Sequence, residues 1–96
     1  MITETQQRII FRHYGTENQL DQLIEECAEL ITAISKFKRN KSWLDRIDLS
    51  YNITEEMSDV MNLIQQFMLV DKDLFDLIEK IKADKVTRQI SRIRKG

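Results

Sequence analysis

Apolar residues recur along this chain at intervals of three and four, the period of a helix that buries one face, and strict two-residue alternation is missing. Thr3 followed three residues later by Gln6 predicts a capping box opening a first helix, which runs to about His13 and stops at Gly15. Thr16 and Gln19 repeat the start signal and open a second helix ending near Lys38. Its Leu20, Leu23, Ile24, Cys27, Leu30, Ile31, Ile34 and Phe37 fall on one stripe at ~100° per residue. From Arg39 to Tyr51 no long period is visible, so this stretch reads as a connection with a short helical turn around Trp43 to Ile47. Asn52 and Glu55 then cap a third helix reaching roughly to Val70, with Met57, Val60, Met61, Ile64, Phe67 and Met68 on one face. Asp71 or Asp73 starts a fourth, with Leu74, Leu77, Ile78, Ile81, Ile90 and Ile93 along it and Gly96 at its end.

Composition sharpens this picture. No proline, two glycines and many Leu, Ile, Glu, Lys and Gln favour an all-α fold with four helices. Ninety-six residues are expected to make a single domain over 1–96, too small to be strongly stable without a metal or a partner subunit. The lone Cys27 rules out an internal disulfide, and no leader or long uncharged apolar run is visible. The expectation is a cytoplasmic protein with no membrane partner.

The net charge of −1 is uninformative, but its distribution is not. No Lys or Arg lies between Tyr14 and Ser35, where Glu17, Asp21, Glu25, Glu26 and Glu29 stand; none lies between Ile47 and Asp71, where Asp48, Glu55, Glu56, Asp59 and Asp71 stand. The basic residues collect between Lys36 and Arg46 and between Lys72 and Lys95. Solvated helix faces usually interleave the signs, so two purely acidic helices look like sites awaiting a cation. On a helix, Glu26 with Glu29 and Glu56 with Asp59 are each neighbours one turn apart, and two such pairs facing each other make an all-oxygen cage suited to Mg²⁺. Against this, Glu25 and Glu29 point almost directly away from the second helix's stripe, where ordinary solvated charge belongs. On the third helix Glu55, Asp59, Asn62 and Gln66 form a polar stripe without lysine, and such a face more often lies against something than against bulk water. His13 and Cys27 are on different helices and cannot form a zinc set.

The order Glu-Glu-x-x-Glu at Glu25 to Glu29, a gap of 26 residues, and Glu-x-x-Asp at Glu56 to Asp59 resembles the signature of the all-α nucleoside triphosphate pyrophosphohydrolases, a superfamily that includes MazG, the dimeric dUTPases and phosphoribosyl-ATP pyrophosphohydrolase. The stretches YGTENQL, EECAEL, EEMSDVMNLIQQF and KVTRQISRI carry the likeness, which covers most of the chain and lies nearer MazG. The resemblance implies a four-helix MazG-like fold whose bundle is completed by dimerisation, as a homodimer or homotetramer. It implies that Glu26, Glu29, Glu56 and Asp59 bind Mg²⁺, with Mn²⁺ a possible substitute, and that Glu25 and Glu26 belong to the catalytic group. The implied reaction splits an NTP or dNTP into monophosphate and pyrophosphate by attack of a metal-activated water. House-cleaning of the nucleotide pool is one purpose for it.

Substrate contacts are sought in Lys85 and Arg88 for the outer phosphates, though that basic helix could equally be a solvated or nucleic-acid-binding face. No nucleic-acid partner is expected. Asn62 could touch sugar or bound water, or be an interhelical amide. Gln19 and Gln22 could read base edges or be surface residues. Trp43 could stack on a base, but a lone Trp in a connection is more often a packing anchor. Competing readings are a non-enzymatic helical interaction module with an acidic face and basic tail, and a narrow-substrate dUTPase-like enzyme.

Overall fold

The computed structural model describes residues 2–96, and all its regular structure is helical: α1 (Glu4–Tyr14), α2 (Thr16–Arg39), α3 (Trp43–Val70) and α4 (Lys72–Lys95). No strand occurs among the described residues, and no helix is long and apolar enough to cross a membrane. The capping box at Thr3 is formed, Gln6 N–H donating to the Thr3 hydroxyl at 3.1 Å and Thr3 N–H to Gln6 Oε1 at 2.8 Å. Gly15 ends α1 with φ 85°, a conformation that costs a side-chain-bearing residue, and its N–H reaches Phe11 O at 2.8 Å.

Two sequence-based boundaries need correction. Thr16 and Gln19 do not cap α2: Gly15 is the cap, with no side-chain bond, and Gln19 is buried instead. The supposed connection from Arg39 to Tyr51 is only a short link, because α3 already begins at Trp43. Asn40 closes that link by accepting from Ser42 N–H at 2.9 Å. Nothing after it breaks a helix. Residues 43–54 contain no Gly or Pro, and Thr54 donates back to Ser50 O at 3.1 Å rather than interrupting the turn. Arg46 lies over the Phe37 ring at 4.2 Å and fixes the start of α3 against the end of α2. At the other end of α3, Asp71 rather than Asp73 caps α4, accepting from Leu74 N–H at 3.0 Å.

With so short a link, α2 and α3 run antiparallel and pack along most of their length. Gln19, Leu23, Glu26, Leu30, Ala33 and Phe37 alternate by four and three along the α2 side of this seam, and Ile53, Glu56, Val60, Leu63 and Phe67 along the α3 side; all are buried or half-buried. The apolar stripe expected on α2 is therefore divided. Leu23, Leu30 and Phe37 enter the seam, whereas Leu20, Ile24 and Ile31 are exposed. On α3, Val60 and Phe67 face inward while Met57, Met61 and Ile64 are exposed. α1 closes one end of the seam, its Phe11 set edge-on to Phe67 at 5.1 Å between ring centres.

Among the described residues only Phe11, Ala33 and Leu63 are buried apolar side chains, and α4 packs against α3 alone and buries none. The accessible surface of 7871 Å² exceeds the roughly 5,800 Å² expected of a compact monomer of this mass. The radius of gyration, 16.8 Å, likewise exceeds the ~12.5 Å of a compact chain this long.

With so small a core, each core residue matters. Phe11→Ala is expected to lower stability by about 3 kcal/mol or more, and Phe11→Leu, which keeps apolar area but loses the ring contact, by about 1 kcal/mol; urea titrations of both variants measure the difference.

Candidate metal centre

Two of the seam positions just described carry glutamate where packing calls for an apolar side chain. Glu26 on α2 and Glu56 on α3 each carry one carboxylate oxygen, Oε2, that is nearly inaccessible to solvent and receives no N–H or hydroxyl hydrogen bond, the carboxyls of Asp59 and Glu29 standing against them instead. Such an orphaned acceptor is costly to bury unless a cation or donor compensates it. Glu29, exposed one turn beyond Glu26, brings a third carboxylate, and single oxygens of Glu26, Glu29 and Glu56 all lie within 4.8 Å of one another. Asp59 completes the group: it stands close enough to Glu26 for their charges and carboxyl groups to interact, and it lines the same groove. Of the four acids expected to share a site, Glu26, Glu29 and Glu56 cluster across the seam, with Asp59 beside Glu26.

Electrostatics at this cluster are unfavourable to the bare protein. Burial in the seam pushes the Glu26 carboxyl up, a bond from Gln22 Nε2 at 2.8 Å pulls it back, and the charges of Asp59 and Glu29 push it up further. Glu56 is raised by burial first and then by the Glu29, Asp59 and Glu26 carboxylates. No basic side chain bonds to any of the four acids among the described residues; the ion pairs lie elsewhere, at Glu4 with Arg8, Lys72 with Asp76 and Glu79 with Lys82. The donors are all oxygen and partly pre-oriented, which suits a hard divalent cation such as Mg²⁺.

Grooves open on either side of the acids. One, of about 720 Å³, is lined on one wall by Ile10, Tyr14, Asn18 and Gln19 and runs past Gln22, Glu25, Glu26 and Asp59 to Asn62 and Gln66. The other, of about 280 Å³, is lined by Glu29, Lys36, Asn52 and Glu56 with Ala28, Thr32 and Ala33. The two hollows lie in turn along the α2–α3 seam, the first walled by Tyr14 and side-chain amides beside Glu26 and Asp59, the second by Glu29, Glu56 and Lys36.

Gln19 and Asn62, expected at the substrate, lie on the first groove, and Glu25 lines it beside Glu26. Lys85 and Arg88 are exposed on α4 and line neither groove. Trp43, 75% exposed at the start of α3, borders a separate hollow with Phe37, Arg46, Ile47 and Ser50. Cys27 is half-buried, and His13 lies edge-on to Tyr14 at 4.7 Å between ring centres. Sequence reasoning missed Tyr14, Asn18, Gln7 and Lys36. Lys36 had a discernible signal, since it lies seven residues beyond Glu29 and therefore on nearly the same helix face. The fold and site define an all-helical chain bearing a cluster of three glutamates, with Asp59 beside it, between two antiparallel helices. No known family, curated protein or solved structure matches the chain.

A carboxyl raised on folding binds more protons in the folded state than in the unfolded one, so stability falls as pH rises through the window above its ordinary value. In metal-free protein, Glu56→Gln is accordingly expected to melt higher than wild type at pH 7, the gap closing toward pH 4, where both forms of the wild-type group are largely protonated. Mg²⁺ should raise the wild-type melting temperature at pH 7 and leave that of Glu56→Gln nearly unchanged; calorimetry at fixed protein concentration checks both.

Proposed function

We propose that this chain is a Mg²⁺-dependent nucleoside triphosphate pyrophosphohydrolase, converting an NTP or dNTP to the monophosphate and pyrophosphate, with Mn²⁺ able to replace Mg²⁺. The observation that carries the proposal is the pair of solvent-inaccessible, unpartnered oxygens, Glu26 Oε2 and Glu56 Oε2, within a cluster of three carboxylates, Glu26, Glu29 and Glu56, with Asp59 beside Glu26 and a groove on either side. A purely solvated acidic face would leave those oxygens in water.

The spacing of the two hollows along α2 suits a nucleotide. Along α2, Gln19 precedes Glu26 by about 10 Å and Lys36 follows Glu29 by about 10 Å, so a base against Tyr14 and the amides leaves the phosphates over the acids and their far end toward Lys36. Glu26, Glu29, Glu56 and Asp59 would hold the metal, which when bound neutralises phosphate charge and lowers the pKa of an attacking water. Glu25, exposed on the groove wall beside Glu26, would orient the attacking water and take its proton as the water oxygen bonds to phosphorus and the bridging P–O bond breaks. The electron pair leaves with pyrophosphate. Lys36 offsets charge on the departing group. Lys85 and Arg88 could serve the phosphates only from another copy of the chain.

Self-association belongs to the same proposal, as a homodimer or homotetramer. The excess accessible surface, and the exposed Ile24 and Ile31 on α2 with Met57, Met61 and Ile64 on α3, supply the apolar side chains that a subunit interface would cover. Covering it would supply the burial that three core side chains cannot.

Purified protein incubated with Mg²⁺ and a panel of NTPs and dNTPs should release pyrophosphate and monophosphate. Glu26→Gln and Asp59→Asn should lower kcat/KM by about 100-fold or more while the protein stays folded. Failure to cleave any nucleotide, with no effect of Mg²⁺ on stability, would leave the acids as a partner-binding surface. In sedimentation, wild type is expected to run as a dimer or larger with a melting temperature that rises with concentration, and Met61→Glu, which places a charge on the apolar face, should shift it toward monomer.

A further inference from the structure

Among the described residues the only buried polar side chains are three glutamines, Gln7, Gln19 and Gln66, at 3%, 4% and 3% exposure. They belong to one chain of amides across three helices. Gln19 Nε2 on α2 donates to Gln66 Oε1 on α3 at 2.7 Å, Gln66 Nε2 to Gln7 Oε1 on α1 at 2.8 Å, and Gln7 Nε2 to Asn62 Oδ1 on α3 at 3.0 Å. Gln7 does not line the first groove, and both ends of its amide are engaged inside the protein. Asn62 is placed differently: it is half-buried, it lines the groove, and only its oxygen is bonded.

An amide is nearly symmetric in shape but opposite in hydrogen-bonding sense at its two ends, so its neighbours decide which end of Asn62 faces out. Two neighbours agree. Gln7, whose oxygen is taken up by Gln66 Nε2, has only a donor to offer, and this holds Asn62 Oδ1 toward α1. On the groove side stand Asp59, one turn earlier on α3, and Glu26 across from it; these acceptors favour an N–H group facing them over an oxygen. Asn62 Nδ2 is thereby left as a donor with no protein partner. A helix rises ~1.5 Å per residue, which sets Asn62 about 4.5 Å along α3 from Asp59 and about 6 Å short of Gln66, the partner of Gln19. With a base near Gln19 and phosphates at the acids, Asn62 is level with the sugar between them.

We propose that Gln7 is a positioning residue for the sugar of the bound nucleotide: by bonding Asn62 Oδ1 it holds the Asn62 amide with Nδ2 toward the groove, where Nδ2 donates to a sugar hydroxyl oxygen. The inference rests on the nucleotide reading of the site above. Gln66 acts one step further back, by occupying the Gln7 oxygen that would otherwise accept from Asn62 and turn it around. In this way α1, which brings no carboxylate to the cluster, takes part in the site through a residue the nucleotide never touches. A site built to hydrogen-bond a hydroxyl rejects the analogue lacking it, because its donor is then left unpaired.

The test compares ATP with 2′-deoxy-ATP and 3′-deoxy-ATP in the presence of Mg²⁺. Wild type should cleave at least one deoxy analogue about tenfold less well in kcat/KM than ATP, and which one it is identifies the hydroxyl contacted. Asn62→Leu, which removes the donor, and Gln7→Met, which keeps the length of the side chain but not its hydrogen bonds, should both bring that ratio within about threefold. Adding Gln7→Met to Asn62→Leu should change kcat/KM for ATP by no more than about twofold, because Gln7 acts through Asn62. A purely structural Gln7 would slow all three substrates alike and add to Asn62→Leu. NMR of wild type gives a readout free of mutation and of catalysis: with Mg²⁺ and α,β-methylene ATP bound, a coupling across the hydrogen bond should run from Gln7 Nε2 to Asn62 Cγ, and the Asn62 amide protons should shift. Equal cleavage of all three substrates by wild type, a deoxy ratio unchanged in folded Gln7→Met, or a coupling from Asn62 Nδ2 to Gln7 Cδ overturns the inference. Binding of the analogue with that coupling and shift, but no cleavage of any triphosphate, would sustain it and sink the hydrolase reading; failure of the analogue to bind would sink both.

Discussion

Carboxylate oxygens buried between two helices without partners are the constraint around which this structure is arranged. Glu26 and Glu56 occupy seam positions of α2 and α3 that the packing period assigns to apolar residues, and each leaves an oxygen nearly inaccessible to solvent. A chain with only three buried apolar side chains can ill afford such substitutions on grounds of stability alone. Local rules broken without local gain are a mark of sites rather than of scaffolds. The elevation of both carboxyls expresses the same conflict: burial and the neighbouring carboxylates disfavour their charged forms.

The rest of the fold follows from holding those two helices in register. Asn40 turns the chain so that α3 returns along α2, the Arg46 guanidinium over Phe37 fixes one end of the pair, and α1 closes the other through Phe11 and Phe67. The amide chain of Gln19, Gln66 and Gln7 ties α1, α2 and α3 together with hydrogen bonds where a larger protein would use apolar packing. This makes the same residues both a structural joint and the back wall of a groove. Exposed apolar residues on α2, α3 and α4 are left outside this arrangement.

Much of this was readable in advance. Periodicity and the absence of proline indicated four helices, and Thr3, Gly15 and Asp71 marked three of their ends, because caps and left-handed turns depend on residues adjacent in sequence. The spacing of Glu26 with Glu29 and of Glu56 with Asp59 placed each pair on one helical face by geometry alone. The start of α3 was misread because residues 43–54 lack an apolar period of their own; they remain helical because nothing in them stops a helix and Arg46 is anchored on Phe37. Sequence determined the helices, their caps and the one-turn carboxylate pairs, all fixed by interactions within a few residues. Only the tertiary structure decided which half of the α2 stripe is buried, that the two acid pairs meet, that Lys36 rather than Lys85 or Arg88 stands near them, and that Gln7 joins Gln66 and Asn62, since each depends on the rotation of one helix about its axis against another.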